Sequence, residues 1–154
     1  MARVRRKITP FLMFNDKAEE AANFYVSIFP NSKILSLIGI KGSATGATFQ
    51  LEGQEFMAYN GGPHFAFSEG MSVYVDCETQ EEIDRVWEKL SQGGEKGRCG
   101  WLKDKYGVSW QIVPSVLGEM LQDKDAERAR RVTEAFLKMD KLDIKTLKQA
   151  YGQR

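Results

Sequence analysis

Apolar and polar residues alternate along the stretch VSWQIV, which begins at Val108 and follows the turn sequence DKYG. Strict alternation of this kind predicts a half-buried β-strand. Trp110 and Ile112 fall on a bulky apolar face that suits a covering helix, whereas Ser109 and Gln111 fall on the opposite face. We therefore expect a sheet with helices on one side and a partly polar interior on the other.

Two segments carry apolar residues at helical spacing, and each begins with a capping-box pattern. Asp16 with Glu19 opens the first predicted helix, and Thr79 with Glu82 opens the second. The apolar stripes contain Ala18, Ala21, Ala22, Tyr25, Ile28 and Phe29 in the first helix, and Ile83, Val86, Trp87 and Leu90 in the second. Both segments are predicted to pack one face against a sheet.

The remaining apolar runs predict strands at residues 8–14, 33–40, 47–51, 54–59, 71–76, 96–98, 101–103 and 108–113. Each half of the chain then has the order strand, helix, strands, which indicates a duplicated βαβββ module. We expect an α+β fold in which module one (about 8–62) and module two (about 70–114) form an eight-stranded half-barrel with helices outside. C-terminal helices follow at about 115–151, and residues 1–154 are expected to form a single domain.

Charge and cysteine content narrow the range of partners. The 154 residues include 22 basic and 21 acidic side chains, a balance that predicts no nucleic-acid partner. The one basic cluster, Arg3, Arg5, Arg6 and Lys7, is interpreted as a solubilising tail, with a nucleic-acid arm as the alternative. Cys77 and Cys99 show no metal-type spacing, and no membrane-length apolar run or signal peptide occurs. A cytoplasmic protein without a membrane partner is expected.

Several polar residues are candidates for a ligand pocket. Gln111 is either a ligand-orienting amide or a buried amide with internal partners. Ser72 and Ser109 follow the same reasoning, and Tyr74, which shares the face of Ser72, is expected to point its hydroxyl into the cleft. His64, the single histidine, is either part of a linker or a proton-transfer group at the mouth of the cleft. No catalytic residue can be assigned from these positions.

Five segments together resemble a known superfamily. They are ITPFLMFND, EEAANFY, NGGPHFAF, DCETQEEID and CGWLKDKYGVSWQIVP. They are similar to the vicinal oxygen chelate proteins, which include glyoxalase I and bleomycin-resistance proteins. The resemblance is to the PhnB-like branch, often labelled 3-demethylubiquinone methyltransferase, and extends to residues 130–151. It implies paired βαβββ modules and a homodimer.

The same resemblance bears on metal binding. Metal-using relatives hold a divalent ion with His or Glu on the first, fifth and eighth strands. The matching positions are Thr9, Gly70 or Ser72, and Gln111, which offer only neutral groups, whereas zinc and magnesium sites need imidazole, thiolate or carboxylate ligands. No metal and no cofactor are therefore predicted, and Thr9, Ser72 and Gln111 are instead expected to lie around one ligand cleft. The methyltransferase label is not supported either, because a typical S-adenosylmethionine site has a Gly-rich turn between a strand and a helix, and no such turn is predicted in this sequence.

Three functions remain open at this point. The first is a metal-independent binding protein that holds a small, largely apolar or aromatic molecule in the cleft. The second is a superfamily enzyme, such as an isomerase, lyase or dioxygenase, with a rebuilt metal site. The third is a structural or regulatory dimer whose barrel is filled by its own side chains.

Overall fold

The computed structural model describes residues 6–152. The chain divides into two compact units, with the boundary between Ala66 and Phe67. Arg3 and Arg5 of the predicted basic cluster lie outside the described residues. That the whole chain folds as one domain stays a prediction.

The first unit is a four-stranded sheet with one helix. Its strand order is β1-β4-β3-β2, in which β1 is parallel to β4 and the other pairs are antiparallel. Its elements are β1 (Phe11–Phe14), α1 (Ala18–Ile28), β2 (Lys33–Ile38), β3 (Gly46–Leu51) and β4 (Gln54–Asn60).

The second unit repeats this arrangement with strand order β5-β8-β7-β6. Its parallel pair is β5 with β8. Its elements are β5 (Ser72–Cys77), α2 (Gln80–Ser91), β6 (Glu95–Lys96), β7 (Trp101–Lys103) and β8 (Ser109–Pro114), followed by α3 (Ser115–Leu121), α4 (Ala126–Phe136) and α5 (Ile144–Gly152). The predicted α+β class, the repeated βαβββ order and the C-terminal helices are confirmed.

Three strands differ from the predicted bounds by two or three residues at one end, whereas the others agree to within one residue at each end. β1 begins at Phe11 rather than at residue 8, because Pro10 has no N–H to donate, although its carbonyl still accepts Met57 N–H at 2.9 Å. β2 ends at Ile38, where Gly39 turns the chain with a φ of 104°. β6 is the pair Glu95–Lys96 rather than residues 96–98.

The start of α1 does not use the predicted capping box. Asp16 makes no cap; the side chain of Asn60, at the end of β4, accepts Ala18 N–H at 2.8 Å. The Glu19 carboxylate instead accepts the N–H groups of Gly42 and Ala44, and these bonds lower the pKa of Glu19. Sequence spacing cannot identify this partner because Asn60 is distant along the chain.

The second capping box is confirmed in part. Thr79 Oγ1 accepts Glu82 N–H at 3.2 Å, as predicted. The Glu82 carboxylate accepts Glu78 N–H at 3.0 Å, one residue before the expected donor. Both contacts satisfy backbone donors at the start of α2, which otherwise have no intrahelical partner.

A buried carboxylate holds the turn between β7 and β8. Asp104 is 2% exposed and accepts the N–H groups of Tyr106 and Val108 and the indole Nε1–H of Trp110. Because the turn and the buried Trp110 share one acceptor, the register between β7 and β8 is fixed. That register places Trp101 opposite Gln111.

The C-terminal helices form a core of their own on the end of β8. Its buried members are Val113, Leu117, Met120, Val132, Leu142 and Leu147. The connection between α4 and α5 binds the loop before β7, since Cys99 and Gly100 donate their N–H groups to the carbonyls of Met139 and Asp140, both at 2.8 Å. Within residues 6–152, no helix combines the length and the apolar character needed to cross a bilayer.

Candidate functional site

Four of the predicted pocket residues lie together on adjacent parallel strands of the second unit. In the register of β5 with β8, Ser72 is opposite Ser109, and Tyr74 is opposite Gln111. Side chains at paired positions project from the same face of a sheet. Leu102, 2% exposed and paired with Trp110, belongs to the other, apolar face. The predicted division of β8 into an apolar and a polar face is therefore present.

A direct hydrogen bond joins two of these residues. Gln111 Nε2 donates to Ser72 Oγ at 2.9 Å, and both side chains are half-buried. Ser109 is buried beside them, at 2% exposure. An amide has two donors and an acceptor, so this bond leaves one N–H and the carbonyl oxygen of Gln111 with further hydrogen-bonding capacity.

Tyr74 supplies an accessible hydroxyl next to this pair. Its side chain is 57% exposed. Partial burial raises the pKa of the Tyr74 hydroxyl, and the nearby carboxylate of Asp76 raises it further. The hydroxyl is therefore neutral near pH 7 and is suited to hydrogen bonding rather than to acting as a base.

β7 adds an aromatic and a charged residue to the same face. Trp101 is paired with Gln111, and Lys103 is paired with Ser109. Lys103 Nζ contacts a carboxylate oxygen of Glu69 at 2.5 Å. This bond raises the pKa of Lys103 and lowers the pKa of Glu69, so both groups are charged at neutral pH.

A pocket of about 260 Å³ lies beside these residues and within the second unit. It is lined by Glu69, Glu95, Lys96, Gly97, Arg98, Trp101, Leu102, Lys103 and Ser109. Its volume is just below the range of about 300–1,000 Å³ that is usual for drug-sized ligands. The pocket therefore suits a molecule of one or two rings.

Thr9 and His64 belong to the first unit. Thr9 is half-buried and precedes β1, and His64 is exposed in the turn-rich connection that follows β4. The linker predicted around His64 is confirmed, because residues 61–71 contain no helix or strand. The participation of Thr9 and His64 in a shared ligand pocket stays a prediction.

Sequence reasoning did not include Arg98, Trp101, Lys103, Glu69 or Glu95 among the pocket residues. A symmetric hairpin around the DKYG turn pairs Lys103 with Ser109 and Trp101 with Gln111, so the positions of Lys103 and Trp101 could have been predicted from the sequence. The position of Arg98 could not have been predicted in this way, because it lies in a loop whose path depends on positive φ values at Cys99 (59°) and Gly100 (83°).

The donor set on this face does not fit a divalent metal. Ser72 and Gln111 are neutral and are hydrogen-bonded to each other. Among residues 6–152, no group of three or more His, Cys, Asp or Glu side chains is arranged to hold an ion. Hard divalent cations prefer carboxylates, and zinc prefers imidazole or thiolate, so the positions matched to metal ligands offer poor substitutes.

A larger and shallower depression of about 690 Å³ lies between the start of α2 and α5. The amide of Gln80, which lines it, donates to the Leu142 carbonyl and accepts Ile144 N–H. These contacts give Gln80 a structural role in attaching α5. The depression is therefore a weaker candidate than the pocket beside Trp101.

Comparison with known proteins identifies relatives of this chain. The family model described as 3-demethylubiquinone-9 3-methyltransferase matches residues 6–113. The match ends at Val113, so the expected resemblance of residues 130–151 is not part of it. A search of curated proteins found no match.

Solved structures agree with this family match. The PhnB protein from Bacillus cereus is 45% identical, and the alignment covers 71% of this chain and 99% of that protein with a TM-score of 0.65. Protein PA1353 from Pseudomonas aeruginosa is 18% identical, with coverage of 71% and 98% and a TM-score of 0.60. A glyoxylase/bleomycin resistance protein/dioxygenase domain from Frankia sp. EAN1pec is 15% identical, with coverage of 73% and 93% and a TM-score of 0.50.

The two distant structures show a shared fold alone, whereas the family match covers most of this chain and the B. cereus protein is aligned almost throughout. The chain therefore belongs to the PhnB-like 3-demethylubiquinone-9 3-methyltransferase family.

Proposed function

We propose that this protein binds a small, largely apolar or aromatic molecule on the polar face of the sheet β5–β8, without a metal ion. The observation that carries the proposal is the hydrogen-bonded pair of Gln111 and Ser72, set in a half-buried position beside Trp101. Ligand sites commonly combine apolar walls with a few placed polar groups that orient the ligand.

The residues around the pair support this type of ligand. The indole of Trp101 is partly accessible, and Tyr74 offers a neutral hydroxyl. The remaining donor and acceptor of Gln111 can then orient one polar group of the ligand. The adjacent pocket provides room for a small ring system.

The activity in the family's description is not supported by the turns of this chain. A typical S-adenosylmethionine site uses a Gly-rich turn between a strand and a helix of a parallel sheet. Residues 15–17 connect β1 to α1, and residues 78–79 connect β5 to α2; neither connection contains glycine. Each sheet has a single parallel pair. Binding without methyl transfer is therefore the function that we propose.

A matched pair of variants tests the role of Gln111. Chelator-treated protein is titrated with 2-naphthol, a neutral aromatic probe with one hydroxyl, and binding is measured by calorimetry. Gln111→Ala is expected to weaken binding by about three- to tenfold, because one hydrogen bond is lost. Gln92→Ala, at an exposed position after α2, is the control and is expected to bind like the wild type.

Two other results would favour the alternatives. If the protein binds the probe only after a divalent ion is added, at about one ion per chain, a rebuilt metal site and an enzyme are favoured. If no aromatic probe binds or shifts the melting temperature, a structural dimer is favoured. Either result would contradict metal-independent binding.

We also propose that the protein is a homodimer, as the resemblance implies. The face of sheet β1–β4 that carries Phe11 also carries Ile38 and Tyr59, and their exposures are 50%, 48% and 36%. Large apolar side chains grouped on one exposed sheet face are typical of a surface that a partner covers. A second copy is the partner that we infer.

A cytoplasmic location stays a prediction.

A further inference from the structure

The pocket beside Trp101 contains a cation whose charge is not balanced by an ion pair. Lys103 is paired with Glu69, and Lys96 is paired with Glu88 at 3.3 Å. Arg98 makes no ion pair within the part of the chain that the structure describes, and its side chain is exposed at the pocket. A guanidinium in this position is available to an anionic ligand.

The acidic residues of the pocket lie near Lys103. Glu69 is bonded to Lys103, and Glu95 is near enough to raise the pKa of the same Lys103. Both acidic residues are therefore placed near Lys103, Glu69 by its ion pair and Glu95 by its pairing with Lys103 across β6 and β7. Arg98 lies beyond this strand pair, in the connection between β6 and β7.

Arg98 and Trp101 are held in place by the same turn. Trp101 N–H donates to the Arg98 carbonyl at 3.0 Å, and the intervening Cys99 and Gly100 have positive φ values. The N–H groups of these two residues are bound by carbonyls of the connection between α4 and α5. A ring that packs on Trp101 and an anion that reaches Arg98 are thus recognised by one anchored loop.

We propose that the ligand of this pocket is an aromatic monocarboxylate, with its ring against Trp101 and its carboxylate on Arg98. This inference rests on the proposed function and makes the ligand class specific. A guanidinium binds a carboxylate through two parallel hydrogen bonds, and a single unpaired cation matches a monoanion better than a doubly charged phosphate. The volume of about 260 Å³ restricts the acid to one or two rings.

The test compares 1-naphthoate with its neutral amide, 1-naphthamide, in calorimetric titrations of the full chain at low and moderate salt. Wild-type protein is expected to bind the acid at least about tenfold more tightly than the amide, and the difference should shrink as salt rises. Arg98→Gln is expected to remove the difference. Lys89→Gln, at an exposed position on α2, removes one positive charge elsewhere and is expected to preserve it.

Each outcome separates this inference from the proposed function. If acid and amide bind equally to the wild type, or if Arg98→Gln keeps the preference for the acid, the anion site is wrong while aromatic binding stands. If neither probe binds, both proposals are wrong. Circular dichroism of Arg98→Gln and Lys89→Gln verifies that a lost preference is not caused by unfolding.

Discussion

The two cysteines occupy different environments, and the difference can be measured. Cys77 is fully buried, and burial raises the pKa of its thiol to about 12. Cys99 is half-buried, and its sulfur is 3.8 Å from the Leu137 carbonyl oxygen. The thiolate is the reactive form, so a thiol with so high a pKa is almost entirely unreactive near neutral pH.

We therefore expect native protein to react with 5,5′-dithiobis(2-nitrobenzoate) at about one thiol per chain, and at both thiols in denaturant. Cys99→Ser should abolish the native reaction, whereas Cys77→Ala should retain it. Equal rates for both thiols at pH 8 would contradict the burial of Cys77.

Single residues of the site differed in how well the sequence predicted them. Ser109 and Gln111 were placed on one face by alternation alone, and the bond from Gln111 to Ser72 agrees with a shared polar surface. Arg98 could not be placed, because two left-handed backbone residues and the distant carbonyls of Met139 and Asp140 determine its loop. Residue patterns report faces of regular strands but not the paths of loops.

At the scale of elements, the C-terminal helices act on the pocket through the loop before β7. Gly100 permits this contact: a Cβ there would lie 2.8 Å from the Ile112 carbonyl oxygen and 3.1 Å from the Leu142 side chain. Leu142 is fully buried in the helical core. We therefore expect that a mutation that destabilises the helical core also destabilises the loop before β7.

Leu142→Ala tests this connection. We expect a loss of about 2–5 kcal/mol in the free energy of unfolding, measured by urea denaturation, because a large buried side chain leaves a cavity. Hydrogen exchange at the amides of Cys99 and Gly100 should accelerate. Leu137→Ala, at a position 51% exposed, is the control and should change stability by less than about 1 kcal/mol. If hydrogen exchange at Cys99 and Gly100 were unchanged in Leu142→Ala, the stability of the loop would not depend on the helical core.

The capping residues show a second limit of prediction at this scale. The pattern of Thr79 with Glu82 was confirmed in part, because both residues are local to the helix start. The same pattern failed at Asp16 with Glu19, where Asn60 and the backbone of Gly42 compete for the same groups. Long-range contacts replaced a local preference.

The fold of each unit was predictable because the chain repeats itself. Two copies of βαβββ produce the strand orders β1-β4-β3-β2 and β5-β8-β7-β6. The same order of predicted elements in both halves strengthened the prediction for each half. Glycines and turns separated the strands clearly in both halves. The charges that line the pocket were less predictable, since they are contributed by short or irregular segments.

The proposed homodimer is a prediction at the same scale. Sedimentation equilibrium should give twice the mass of one chain. Phe11→Asp should shift the protein towards monomer, because a charge is placed on the apolar face of sheet β1–β4. Leu137→Asp, at a position 51% exposed just after α4, is the control and should remain dimeric. A wild-type monomer at all concentrations would contradict this interface.

The central claim is that the polar sheet face of the second unit binds an organic molecule without a metal. Nuclear magnetic resonance of ¹⁵N-labelled, chelator-treated protein titrated with 1-naphthoate tests it most directly. We predict chemical-shift changes at Ser72, Ser109 and Gln111 and at the Trp101 indole, with saturation in the absence of any added ion. Shift changes confined to other surfaces, or a response that appears only after a divalent ion is supplied, would contradict the claim.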